Sequence, residues 1–286
     1  MFKFMKSLFI LGDIGYLNLF LHRLVDNIDT AFLPGNKIIL LGDNFYDNMK
    51  LKQQGISSLL DNRWEKFIRI FEPIGFNNIY SVMGNHDYEG DPNVQLQSPY
   101  IKNSDFYYKL RFSDNTDLFF IDTVQLYENH CSIGKNDMKR ILNEDDYLKI
   151  KNKQLDWLNS ELEKSTAKYK IVFGHYPIIS NGAYKNALYP IKKILLPIFK
   201  KHKVTAYVSG HEHNIQCLEE NFENYKFRQF IIGSSSQHRI NEYKQVIVGD
   251  MYDNNECFLL RMYEDNDILV FEFVNENNII KYKYII

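Results

Sequence analysis

The chain has 286 residues, with 34 Lys plus Arg against 36 Asp plus Glu and a formal net charge of −2. That balance excludes a global electrostatic pull toward nucleic acid or an anionic membrane, so any affinity for phosphate must come from a local site. Apolar residues at 45% and aromatic residues at 15% suffice for a sizeable core, in one large domain or two closely packed ones.

Short apolar runs recur along the chain, and many end at a polar, chemically capable residue. In order they are "SLFILGD" (7–13), "KIILLGD" (37–43), "IYSVMGNHD" (79–87), "LFFIDT" (118–123), "YKIVFGH" (169–175), "TAYVSGH" (205–211) and "FIIGSS" (230–235). Each reads as a strand buried on both faces. Helical spacing of apolar residues predicts helices over residues 17–28, 62–74, 152–164 and 189–202. The alternation argues for α/β layering. The last thirty residues hold three strand-like runs separated by "EDND" and "NENN", which predicts a closing antiparallel meander. Residues 128–151 carry many charges and little pattern, and read as a long surface loop or lid.

Cys131, Cys217 and Cys257 are widely spaced and form no CxxC pair, which reads as reduced structural thiols. No apolar run approaches the ~20 residues of a membrane span. The opening "MFKFMKSLFILGD" has too short an apolar stretch for a signal peptide and no small-residue cleavage site. The expected location is therefore intracellular, or that of a mature form whose signal was removed.

In α/β sheets, ligands gather at the carboxyl ends of strands. Asp13, Asp43, Asn85, His86, His175, His211 and His213 all fall there, with Tyr46 a short turn further on. Taken singly, each has a plain structural explanation. A "GD" after a strand is usually a turn capping the next helix, and a "GH" histidine often bonds a carbonyl. Five such endings in one chain are harder to ascribe to packing. Apart from His86, two carboxylates, an amide oxygen, three imidazoles and a phenol form an oxygen/nitrogen donor set suited to iron, manganese or zinc. Seven ligands exceed one ion with an open position, and fit two ions ~3.5–4 Å apart sharing a bridging carboxylate, as in two-metal hydrolases.

"GDIG", "GDNFY", "GNHD", "VFGH" and "GHEH" resemble the five metal-binding motifs of purple acid phosphatases, of the small tartrate-resistant type, within the metallophosphoesterase superfamily. "FFIDTV", "QLDWLNSEL", "GHYPI" and "VTAYVSGHEHNIQ" follow in the expected order. The resemblance implies one domain over residues 1–286, a four-layer α/β/β/α sandwich with the C-terminal antiparallel meander. It implies Fe(III) at a first site held by Asp13, Asp43, Tyr46 and His213. A second site of Asp43, Asn85, His175 and His211 would take Fe(II), Zn or Mn, and Asp43 would bridge. His86 would face the substrate, steady the phosphate and protonate the leaving alcohol, while hydroxide generated on the metals attacks phosphorus.

The sequence departs from the small mammalian-type pattern at one place. Counting nine residues past His175 puts Tyr184 where those enzymes carry a second active-site histidine. Tyr184 then either donates to phosphate without a positive charge or is only a loop aromatic. The expected activity is hydrolysis of small phosphomonoesters or phosphoproteins by a monomer that engages neither nucleic acid nor membrane. Alternatives are a phosphodiesterase or pyrophosphatase with the same metals, or a non-catalytic scaffold of the same fold.

Overall fold

The computed structural model describes residues 5–46, 54–127, 144–184, 189–237 and 256–286. Strand β1 (Ser7–Leu11) is buried along its length and leads into helix α1 (Leu19–Ala31). There the Asn18 side chain accepts the N–H of Leu21, satisfying a donor that the helix itself cannot. Leu21, Leu24, Val25 and Ile28 form the buried stripe of α1. Strand β2 (Lys37–Leu40), helix α2 (Arg63–Phe71) and strand β3 (Ile79–Ser81) follow, and β1, β2 and β3 pair in parallel.

After the short helix α3 (Asn93–Gln97), strands β4 (Tyr108–Arg111) and β5 (Thr116–Phe120) form an antiparallel pair. The short helix α4 (Thr123–Leu126) and the long helix α5 (Glu144–Lys164) precede strand β6 (Tyr169–Phe173). Helix α6 (Tyr189–His202) then leads to strands β7 (Ala206–Ser209), β8 (Ile215–Phe222) and β9 (Tyr225–Ile232). β5, β6, β7 and β9 run parallel, giving a sheet ordered β4-β5-β6-β7-β9-β8. The closing strands are β10 (Phe258–Asp265), β11 (Ile268–Asn275) and β12 (Ile280–Ile285). They form the expected meander, and β10 joins it antiparallel to β1, so the first sheet reads β12-β11-β10-β1-β2-β3.

The two sheets pack face to face, because alternate strand residues point to opposite faces. Leu8, Ile10 and Ile39 of the first sheet meet Leu118, Phe120, Ile171, Phe173 and Phe230 of the second in one inner core. Phe9, Leu11, Ile38 and Leu40 point outward into α1 and α2. Phe119, Val172 and Tyr207 point outward into Leu158 and Leu162 of α5 and Leu195 and Phe199 of α6. The result is the four-layer α/β/β/α arrangement, with strands apolar on both faces as their sequence runs required.

Two features differ from the sequence expectation. β4 and β8 are edge strands with part-exposed residues, so they carry no continuous apolar run. Residues 144–151 are not loop but the first two turns of α5. Glu144, Asp145 and Asp146 in its first turn complement the positive end of the helix dipole, and Tyr147 and Lys151 are buried. The remainder of the expected lid, and Cys131, lie outside the described residues; Cys217 and Cys257 are free and buried. Among the described residues, no helix is long and apolar enough to cross a membrane.

Candidate metal centre

The strand ends of both sheets converge on one rim. Asp13 follows β1, Asp43 follows β2, and Asn85 and His86 follow β3. His175 follows β6, and His211 and His213 follow β7. Asp13, Asp43, His211 and His213 hold left-handed backbone conformations, at φ of 56°, 53°, 72° and 52°. Such conformations cost a non-glycine residue free energy and tend to gather at functional sites. The turns are also closely packed: a Cβ on Gly84 would lie 2.2 Å from Asp43 Oδ1 and 2.3 Å from Asp43 N.

Two groups of side chains share Asp43. The ligand atoms of Asp13, Asp43 and His213 lie within 4.8 Å of one another, as do those of Asp43, His175 and His211. Around the first group, the Tyr46 hydroxyl lies 3.2 Å from Asp13 Oδ1, 3.1 Å from Asp43 Oδ2 and 3.1 Å from His213 Nε2. In the second, His175 Nε2 lies 3.1 Å from Asn85 Oδ1 and 3.5 Å from Asp43 Oδ1. Asp13, Asp43, His175 and His211 are all buried.

This donor set fits cations. A phenol has one proton and cannot satisfy two carboxylates and an imidazole at once. His175 Nδ1 lies 2.8 Å from the carbonyl of Leu41. In a neutral imidazole that bond puts the lone pair on Nε2, facing the oxygens of Asn85 and Asp43. Acceptors aimed at acceptors in a buried site call for positive charge between them. Burial, reinforced by Asp43 and Asp13, raises the Tyr46 phenol well above its ordinary pKa. Burial opposes ionisation of Asp43 too, yet His175 and His86 outweigh it and lower the pKa of that carboxyl.

His86 sits beside the shared carboxylate, with Nε2 3.9 Å from Asp43 Oδ2, its main-chain N–H donated to Asp43 Oδ1, and its side chain 31% exposed. Its Nδ1 is held 2.9 Å from Glu89 Oε1. Burial disfavours the imidazolium, but Asp43 and Glu89 outweigh it and push the pKa up to about 9. Tyr184 stacks on His211, with ring centroids 4.5 Å apart and planes at 29°. All nine residues singled out from the sequence therefore stand in one constellation.

Sequence reasoning missed the groups that hold this constellation in shape. Asp87 Oδ2 accepts the N–H groups of Asp43 and Gly84, and Oδ1 accepts the N–H of Asn44 and the amide of Gln95. Thr123 Oγ1 accepts the N–H groups of His175 and Tyr176. Asp13 Oδ2 accepts the N–H of His211. The signals were present in "GNHD" and "FFIDT", but main-chain partners leave no mark in side-chain spacing.

A family model described as calcineurin-like phosphoesterase matches residues 7–214. The chain is 37% identical over 193 residues to purple acid phosphatase 3 of Arabidopsis thaliana, covering 64% of this chain and 49% of that protein. It is 33% identical over 200 residues to tartrate-resistant acid phosphatase type 5 of Sus scrofa, covering 66% and 56%. The match thus spans about half the length of these curated relatives. Among solved structures, GAP50, the anchor in the inner membrane complex of Plasmodium, superposes with a TM-score of 0.70 at 22% identity. That match covers 99% of this chain and 88% of the other, and speaks for the fold alone. With the family model matched over most of its length, the chain belongs to the calcineurin-like phosphoesterase family.

Proposed function

We propose that the protein is a phosphomonoesterase working with two metal ions. Asp43, common to two buried ligand groups, is the observation that carries this reading. The proposed first site comprises Asp13, Asp43, Tyr46 and His213, and the second Asp43, Asn85, His175 and His211. The hard phenol oxygen of Tyr46 favours Fe(III) at the first, with Fe(II), Zn or Mn at the second. When bound, such a pair neutralises phosphate charge and supplies a nucleophilic water of lowered pKa.

The chain's own residues do the rest of the work in this scheme. Asp43 sets the separation of the two sites. His86, part-exposed and bonded to Glu89, would steady the phosphate and hand a proton to the leaving alcohol. Tyr184, stacked on His211, would donate its hydroxyl to a phosphate oxygen. The purple acid phosphatase relatives support monoesters as the substrate class. Small phosphomonoesters or phosphoproteins are the proposed substrates.

The test is hydrolysis of p-nitrophenyl phosphate from pH 4 to 8 by iron-reconstituted protein, beside His175→Ala and with bis-(p-nitrophenyl) phosphate in parallel. Monoester cleavage that disappears in the variant supports the reading. Cleavage of the diester alone moves it to a phosphodiesterase. Bound metal with neither substrate cleaved would sink it.

A further inference from the structure

A concavity is lined in part by Tyr88 and Gly90, which follow His86 in the chain. Its volume is about 490 Å³, within the range of small-molecule sites. Tyr88, Phe106 and Tyr107 form its aromatic walls, and Gln125 and Ile150 contribute from α4 and α5. The rings of Tyr88 and Phe106 are roughly parallel, with centroids 6.3 Å apart.

None of the candidate metal ligands is among the described residues that line this cavity. The Tyr88 hydroxyl donates to Asp122 Oδ2 at 2.5 Å and accepts from Gln125 Nε2 at 3.0 Å. All three side chains are buried. Thr123, next to Asp122 in the chain, holds the backbone of His175.

The charges on its lining decide what it would take. Asp91 and Asp105 are exposed, with Lys153 as the one cation among the described lining residues. Each aspartate engages Oδ1 locally: Asp91 with Asn93, Asp105 with the N–H of Phe106. Aromatic faces attract cations, and two carboxylates against one ammonium add to that preference.

We propose that this cavity is a binding site for a small organic cation with an aromatic or apolar body, separate from the candidate metal centre. The rings take the apolar body, and the carboxylates at Asp91 and Asp105 select for positive charge.

Trp157 offers a direct readout. Its ring lies 5.0 Å from that of Tyr107, whereas Trp64, the other of the two tryptophans, is buried beneath the first sheet. The full chain would be titrated with benzyltrimethylammonium, benzyl alcohol and phenylacetate while following fluorescence and saturation-transfer NMR. A saturable response is expected, with the cation binding about tenfold more tightly than the alcohol and phenylacetate weakest. The double variant Asp91→Asn/Asp105→Asn should melt as the parent does and lose that preference, and Lys153→Gln should strengthen it. The proposal is overturned by equal binding of phenylacetate, by a preference that survives in the double variant, or by no saturable response in either measurement. Competition between the cation and inorganic phosphate would place the cation in the metal centre and overturn it equally.

Discussion

Asp87 Oδ2 accepts the main-chain N–H of Asp43 at 2.9 Å, and the same oxygen accepts that of Gly84 at 2.8 Å. One carboxylate thereby ties the turn after β2 to the turn after β3, and with it the shared residue Asp43 to Asn85 and His86. An asparagine has one acceptor oxygen and would turn its NH2 toward N–H donors. Asp87→Asn should cost about 1–3 kcal/mol of stability. It should also weaken metal binding more than substrate binding. Chemical denaturation and metal titration of the variant check both, and unchanged metal affinity would contradict the linkage.

The position of Asp43 in both ligand groups separates it from the ligands that belong to one. Asp43→Ala should lower the content of both metals, whereas His213→Ala and His211→Ala should each lower mainly one. Elemental analysis of the purified variants reads this directly. Activity of the Asp43 variant should fall at least about 10³-fold, as expected for several kcal/mol of lost transition-state stabilisation. Retention of both metals by Asp43→Ala would remove the bridging role.

Tyr184 touches His211 through its ring, so the ring and the hydroxyl can be tested apart. Tyr184→Phe keeps the stack and should lower kcat/KM about fivefold if the hydroxyl makes one hydrogen bond to phosphate. Tyr184→Ala also removes the stack and should weaken metal binding at the second site. Identical kinetics for Tyr184→Phe and the parent would leave the residue a loop aromatic.

Asp122 is fully buried, and burial pushes its carboxyl up to about 7 despite the hydrogen bonds from Tyr88, Val124 and Gln125. Below about pH 4 the carboxyl is protonated in both folded and unfolded chains. Between the ordinary carboxylate value and about 7 only the folded chain holds the proton, so stability falls as pH rises through that window. Relative to Asp122→Asn, which cannot titrate, the parent should lose roughly 4 kcal/mol between pH 4 and pH 8. Urea unfolding of both proteins at intervals across that range measures the difference. Parallel curves would show that the hydrogen bonds offset the burial.

The strands buried on both faces were legible because a two-sided burial requirement writes continuous apolar runs into the sequence. The edge strands β4 and β8 were not, since half-exposed strands carry mixed residues. The start of α5 was hidden for a related reason. Its first turns are charged, and only the folded chain selects Tyr147 and Lys151 for burial.

For the site, the order and type of the chemistry-bearing residues belong to the sequence. All but Tyr184 stand within about six residues of a strand end, and strand ends can be read from local patterns. The meeting of those ends belongs to tertiary structure. β1 and β2 lie in one sheet and β6 and β7 in the other, so only face-to-face packing brings His175 and His211 to Asp43. The roles of Asp87 and Thr123 were decided there too, because their partners are main-chain N–H groups. Those groups are identical in every residue and acquire a direction only when the chain has folded.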